Sequence, residues 1–170
     1  MVTIADEERG RPINFLATWL AVLENLPGSE TFRELYVDDP EKGVHDVIHD
    51  GDLMCAFSAS AVMRMFNLIS GGEDVGFHTF VQTTEAQMKL AGWYEIDEPR
   101  PGCVVIFGIK MGDDGHSHYH IGFCLKDPQM VVSSMPELKA LGKHGLHDLR
   151  DHDGNVRAPI RYYFHPKLET

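Results

Sequence analysis

Asp52-Leu53-Met54-Cys55-Ala56-Phe57-Ser58-Ala59-Ser60-Ala61-Val62 is the stretch on which the fold turns. Gly51 precedes it, and an apolar run continues to Ile69, with Arg64 and Asn67 the only strongly polar side chains after Ser60. Asp52 suits an N-cap, because its carboxylate can accept bonds from the free N–H groups of a first helical turn. The helix expected over Leu53 to Ile69 is apolar nearly all round, which places it at the centre of the molecule. Cys55 then falls in the first turn, where unpaired N–H groups and the helix dipole favour a thiolate. A nucleophilic thiolate needs a base. Without one, Cys55 is another buried residue of the helix.

Downstream, Gly71-Gly72 ends the helix, and Phe80 to Ala91 reads as another, with Gly92 in the position of a C-terminal cap. Trp93 and Tyr94 begin extended chain. Pro99-Arg100-Pro101-Gly102 is a turn, and Cys103 to Ile109 is a continuous apolar run of strand type. Further strands are expected over His118 to Leu125, Met130 to Ser134 and Ile160 to Phe164, with a helix-like or loop segment over Pro136 to Asp153. Upstream, Pro12 opens an amphipathic helix marked by Ile13, Leu16, Trp19, Leu20 and Leu23, closed by Leu26-Pro27-Gly28. Residues 28 to 51 are mixed, with a helical fragment over Phe32 to Tyr36. Helices come first and an antiparallel meander follows, which is an α+β layout.

The 170 residues, 43% hydrophobic and 24% charged, suit one domain over residues 1–170. No apolar run approaches the roughly 20 residues of a membrane span. Met1 to Arg11 carry acids and no apolar segment, so no signal peptide is expected, and the chain is expected to be cytoplasmic as made unless another route releases it. The net charge of −11 argues against nucleic acid and gives no attraction to an anionic membrane. Three cysteines without tight spacing are no disulfide framework, and Cys103 and Cys124 read as buried thiols.

The base comes from His120-Ile121-Gly122-Phe123-Cys124. Period two puts His120, Gly122 and Cys124 on one face, and the glycine leaves room there for a closely packed backbone. A helix carrying Cys55 in that space would bring the thiol to His120. The imidazole would take the thiol proton, and the N–H groups of Cys55 and its neighbour Met54 would hold the oxyanion. No cofactor is required.

The order of a helix-capping Cys55, Gly92-Trp93, Pro101-Gly102-Cys103-Val104-Val105-Ile106-Phe107 and His120-Ile121-Gly122-Phe123 resembles the NlpC-like and CHAP-like cell-wall hydrolases of the papain-like cysteine peptidase superfamily. The resemblance covers about residues 52–134. It implies a papain-like fold, with N-terminal helices packed on an antiparallel sheet, and cleavage of amide bonds in peptidoglycan peptides. Family members carry a third polar residue about a dozen positions after the histidine to orient the imidazole, which here points to Ser133. Tyr36 matches a tyrosine that reaches the groove mouth in some relatives, and Trp93 is a second candidate for substrate contact, with packing its competing role. Where the family often has Asp-Cys-Ser-Gly, this chain has Met54-Cys55-Ala56-Phe57, and Cys103 replaces the aspartate after Pro-Gly.

Two other readings stand beside this one. His116, His118 and His120 alternate, so on a strand all three would point one way, as in a zinc site of a metal-dependent hydrolase. His144, His147, Asp148, His152 and Asp153 read as solvated loop residues or added ligands. The third reading is a catalytically silent papain-like module that binds a peptide.

Overall fold

Asn14 starts the first element by accepting the Ala17 N–H on its side-chain oxygen at 2.8 Å, and helix α1 runs from Phe15–Glu24. The structure is a computed structural model that describes residues 12–69, 78–111, 117–151 and 153–169. A hairpin of β1 (Tyr36–Asp39) and β2 (Gly43–Asp46) follows, then α2 (Met54–Met65) and α3 (Val81–Leu90). The remaining strands are β3 (Tyr94–Ile96), β4 (Val104–Met111), β5 (Ser117–Cys124), β6 (Met130–Met135), β7 (Ala140–Gly145) and β8 (Pro159–Phe164). β1 and β2 form a separate antiparallel pair. The other six make one antiparallel sheet in the order β3-β8-β4-β5-β6-β7. The molecule is therefore α+β, with three helices and two antiparallel sheets among the described residues.

The helices pack against one face of this sheet. α2 lies on β5 and β6, and α3 lies on α2 and β5. Trp19 of α1 meets Phe123 of β5 edge to face, and Ser58, Ala59 and Val62 of α2 line a small cavity with Ile121, Phe123 and Val132. Both faces of the central strands are nonetheless buried. Val104, Ile106, Ile121 and Phe123 fill the helix side, and Cys103, Val105, Phe107 and Cys124 fill the other. That double burial is why β4 reads as an unbroken apolar run.

The turn before β4 is fixed by one close approach. Gly102 has φ +80°, and a Cβ there would lie 2.8 Å from Trp19 Cδ1. The Trp19 indole N–H donates to the Gly102 carbonyl at 2.9 Å. Only glycine meets both demands, a left-handed backbone and an indole in van der Waals contact with its Cα.

Several boundaries differ from the sequence reading. Residues 32–36 form a turn and the start of β1 rather than a helical fragment, and β3 and β7 are strands that the pattern did not reveal. Helix α2 begins at Met54 and ends at Met65, and its N-cap is Leu53. Asp52 is exposed and the helix has no side-chain cap hydrogen bond. Gly92, at φ +93°, does follow the end of α3 as expected.

Gly102→Ala is expected to cost about 2–4 kcal/mol, combining left-handed strain with overpacking against the indole. Urea unfolding of the variant beside wild type measures it.

Candidate active site

The chain enters α2 through a left-handed turn. His49, Asp50 and Gly51 have φ of 53°, 55° and 92° in succession, a conformation that is uphill for the first two. Asp46 at the end of β2 holds this turn. One carboxylate oxygen accepts the Leu35 and Ile48 N–H groups at 2.9 and 3.1 Å, and the other accepts the Asp50 N–H at 2.6 Å. Burial works against the charged form of Asp46, but these three bonds outweigh it and hold its pKa below the usual carboxylate range. The Asp50 carboxylate in turn pairs with Arg33 and Lys139, and the pairing holds it at about 2. Lys139 is itself left-handed, at φ 49°, and its backbone lies 3.5 Å from where a Gly51 side chain would begin.

This turn delivers Cys55 as the second residue of α2. The first-turn N–H groups of Cys55 and Ala56, which a capping carboxylate would otherwise take, favour a thiolate at Cys55. The Arg157 charge and the Ile121 N–H of β5 also favour the charged form of the thiol. Desolvation outweighs all of these, so the thiol is pushed up from its ordinary value. The residue keeps partial solvent access, while enough protein surrounds the sulfur for desolvation to dominate.

The geometry explains why Ile121 is available. β5 and β6 pair over Gly122 to Cys124 and no further toward the start of β5. The Cys124 N–H turns to β4, bonding the Cys103 carbonyl at 2.9 Å, and by alternation the Ile121 N–H turns to the β6 side. Where the two strands stop pairing, that donor favours the thiolate form of Cys55 on α2.

His120 is one residue from this contact and 6% exposed. Its ring packs 5.8 Å from Phe107, its cross-strand neighbour. The alternation expected for β5 holds, but α2 lies on the Ile121 and Phe123 side, not on the His120 side. The room at Gly122 is taken by β6. A Cβ there would lie 2.8 Å from the Val132 carbonyl and 2.9 Å from Ser133 Cβ. Cys55 therefore sits at the start of a helix that packs on the face of β5 opposite the His120 side chain.

Ser133 is placed differently from expectation. Its hydroxyl lies 2.8 Å from His144 Nε2, and His144 Nδ1 lies 2.8 Å from the Gly145 carbonyl. A carbonyl can only accept, so Nδ1 carries the proton and Ser133 donates to Nε2. Ser133 thus orients His144, a buried residue of β7 rather than a solvated loop residue. The His144 ring packs 5.9 Å from Phe107, the same side chain that touches His120.

Met54 N–H bonds the Gly51 carbonyl at 3.4 Å, so Cys55 and Ala56 are the first-turn donors turned to the sulfur. Trp93 is 4% exposed, donates its indole N–H to the Leu68 carbonyl at 2.7 Å and packs on His165, which leaves no ring face for a substrate. Tyr36 is 58% exposed, and its pKa is raised by the charge of Glu34 first, then by burial and the Asp46 carboxylate. His116 and His152 lie outside the described residues, among which no group of three His, Cys, Asp or Glu side chains is arranged to hold a metal ion. No helix among the described residues is long and apolar enough to cross a membrane. Cys103 and Cys124 are buried opposite each other, and their mutual hydrogen bond and burial raise the Cys124 thiol.

Sequence reasoning missed Arg157, since nothing in Asn155-Val156-Arg157-Ala158 signals that its charge reaches Cys55, a hundred residues away in the chain. Compared with known protein families, curated proteins and solved structures, the chain matches none.

Asp46→Ala is expected to lower stability by about 2–3 kcal/mol, since charge-assisted bonds to three backbone donors disappear. Urea midpoints of Asp46→Ala and Asp46→Asn measure it, with the asparagine variant the milder. Burial also lowers the pKa of His78, His144 and His165. Below about pH 6.5 the unfolded chain binds protons that these folded imidazoles refuse, so stability should fall from pH 7.5 to 5.5. His144→Gln should show a smaller fall over the same range in the same unfolding assay.

Proposed function

We propose that the chain is a papain-like cysteine hydrolase of the NlpC and CHAP cell-wall type, cleaving an amide bond in peptidoglycan peptides. The observation that supports this reading is Cys55 in the first turn of α2, a helix that packs on β5, the strand that carries His120.

Cys55 attacks the amide carbonyl carbon as His120 takes the thiol proton. The carbonyl electron pair becomes an oxyanion, and the first-turn N–H groups of Cys55 and Ala56 are the donors closest to it. His120 then gives the proton to the departing amine, leaving an acyl-thioester, and water activated by the same imidazole releases the acid. The raised thiol in the resting site means that the proton moves during attack, not before it. His144, held by Ser133, packs behind Phe107 and supports the wall against which His120 rests.

Purified peptidoglycan digested by wild type should yield new amine and carboxyl ends by mass spectrometry. Cys55→Ala should abolish this, and His120→Ala should slow it by about 10²–10⁴-fold. Binding of wall peptides without any cleavage by wild type would overturn the hydrolase in favour of a binding module.

A further inference from the structure

Cys103 and Cys124 face each other where the ladder between β4 and β5 ends. Val104 is the register partner of Phe123, so Cys103 and Cys124, one step further along each strand, are opposed. The Cys124 N–H donates to the Cys103 carbonyl at 2.9 Å, and the Cys124 carbonyl accepts from the Gly102 N–H at 3.0 Å. Gly102, at φ +80°, and Cys103 thus stand together against one residue of β5, a bulge with a left-handed glycine in its first place. The Cys103 N–H turns back to the Arg100 carbonyl at 3.0 Å, so the turn that enters β4 is locked to the same bulge.

Both thiols are fully buried. Directly opposed residues of an antiparallel pair have Cα atoms about 4.5–5.5 Å apart, and a disulfide spans roughly 4.4–6.8 Å. The backbone therefore already holds the two cysteines at a separation that a disulfide accepts. Hydrogen bonding between the thiols pulls Cys103 below the ordinary thiol range and pushes Cys124 above it, which makes Cys103 the readier thiolate. Cys55 stands apart from this pair. It opens α2, which packs on the Ile121 and Phe123 side of β5, whereas alternation puts Cys124 and its partner on the other side.

We propose that Cys103 and Cys124 form a redox-sensitive dithiol site that closes to a disulfide in oxidising surroundings, stapling β4 to β5 and leaving Cys55 outside the link. This inference does not depend on the hydrolase reading. The oxidant is a low-molecular-weight disulfide. The Cys103 thiolate attacks one of its sulfurs and expels a thiolate. The Cys124 sulfur, losing its proton, then attacks the mixed disulfide at Cys103 and expels the second thiolate. Both protons end on the two departing thiols, so the protein loses two electrons and the reagent gains them. Access comes at the strand ends, since Cys103 follows the turn over residues 99–102 and Cys124 lies just before the turn over residues 126–129. Backbone beside turns opens ahead of the middle of a sheet. A reducing compartment keeps the pair as thiols.

Buffers of reduced and oxidised glutathione test the site at equilibrium. The constant for closing the pair, read from the cross-linked peptide by mass spectrometry, should be about 10²-fold larger in the folded chain than in the chain unfolded by urea. Equilibrium is approached both from reduced folded protein and from protein oxidised in urea and then refolded, so slow access to the buried thiols does not decide the result. Peptide mapping without reductant should place the link between Cys103 and Cys124, and Cys55→Ser should leave the constant unchanged. A constant no larger in the folded chain, a link that includes Cys55 or an oxidised chain that fails to refold overturns the proposal. None of these outcomes turns on peptidoglycan cleavage, so the site and the hydrolase stand or fall separately.

Discussion

Everything at the candidate site depends on how the chain turns from β2 into α2. His49 and Asp50 hold a backbone conformation that costs a side-chain-bearing residue roughly 1 kcal/mol or more each, so the turn persists only because its surroundings demand it. Asp46 supplies the demand from within, by binding the Ile48 and Asp50 N–H groups, and Lys139 supplies it from across the sheet through Asp50. With the turn fixed, α2 has one direction of entry. The buried face of Met54, Phe57, Ala61 and Val62 then sets its depth. The sulfur arrives at the gap between β5 and β6 as a consequence, at a place where two strands have just ceased to pair.

The sulfur does two jobs that usually fall to different residues. It lies among first-turn donors, where a capping side chain would, and in the proposed reading it is also the nucleophile. This accounts for the exposed Asp52, and it ties reactivity to helix integrity. Three kinds of positive partner act on the sulfur: its own helix terminus, a neighbouring strand and the Arg157 guanidinium. Desolvation opposes them and wins while the site is empty. The balance is therefore close to one that an incoming charge or dipole could tip.

The sequence made the helix order, β4, β5, β6 and β8 legible, because long apolar runs and a glycine cap are local signals. It hid β7, where Ala140-Leu141-Gly142-Lys143-His144-Gly145 mixes glycine and charge, and the strand forms because β6 offers it an edge. The hairpin of β1 and β2 was hidden for a similar reason, since its residues are mostly exposed and acidic. Cys55 and His120 stood out by residue type and strand position. Ser133 stood out too, but its partner, His144, could not be read from spacing, because the bond depends on β7 pairing with β6, and β7 itself was hidden. The Gly122 space was legible as space and not as to its occupant, since only the register of β6 decides it.

The two tryptophans carry a consequence of a different sort. Each is interior and each has its indole N–H on a main-chain carbonyl, Trp19 on Gly102 beside α1 and Trp93 on Leu68 beside His165. They sit at separate junctions, one where α1 clasps the entry to β4 and the other where α3 gives way to β3. The molecule thus contains two native optical probes that water cannot reach while it is folded. Their emission distinguishes loosening of the helical layer from release of the sheet's outer edge without any label being added.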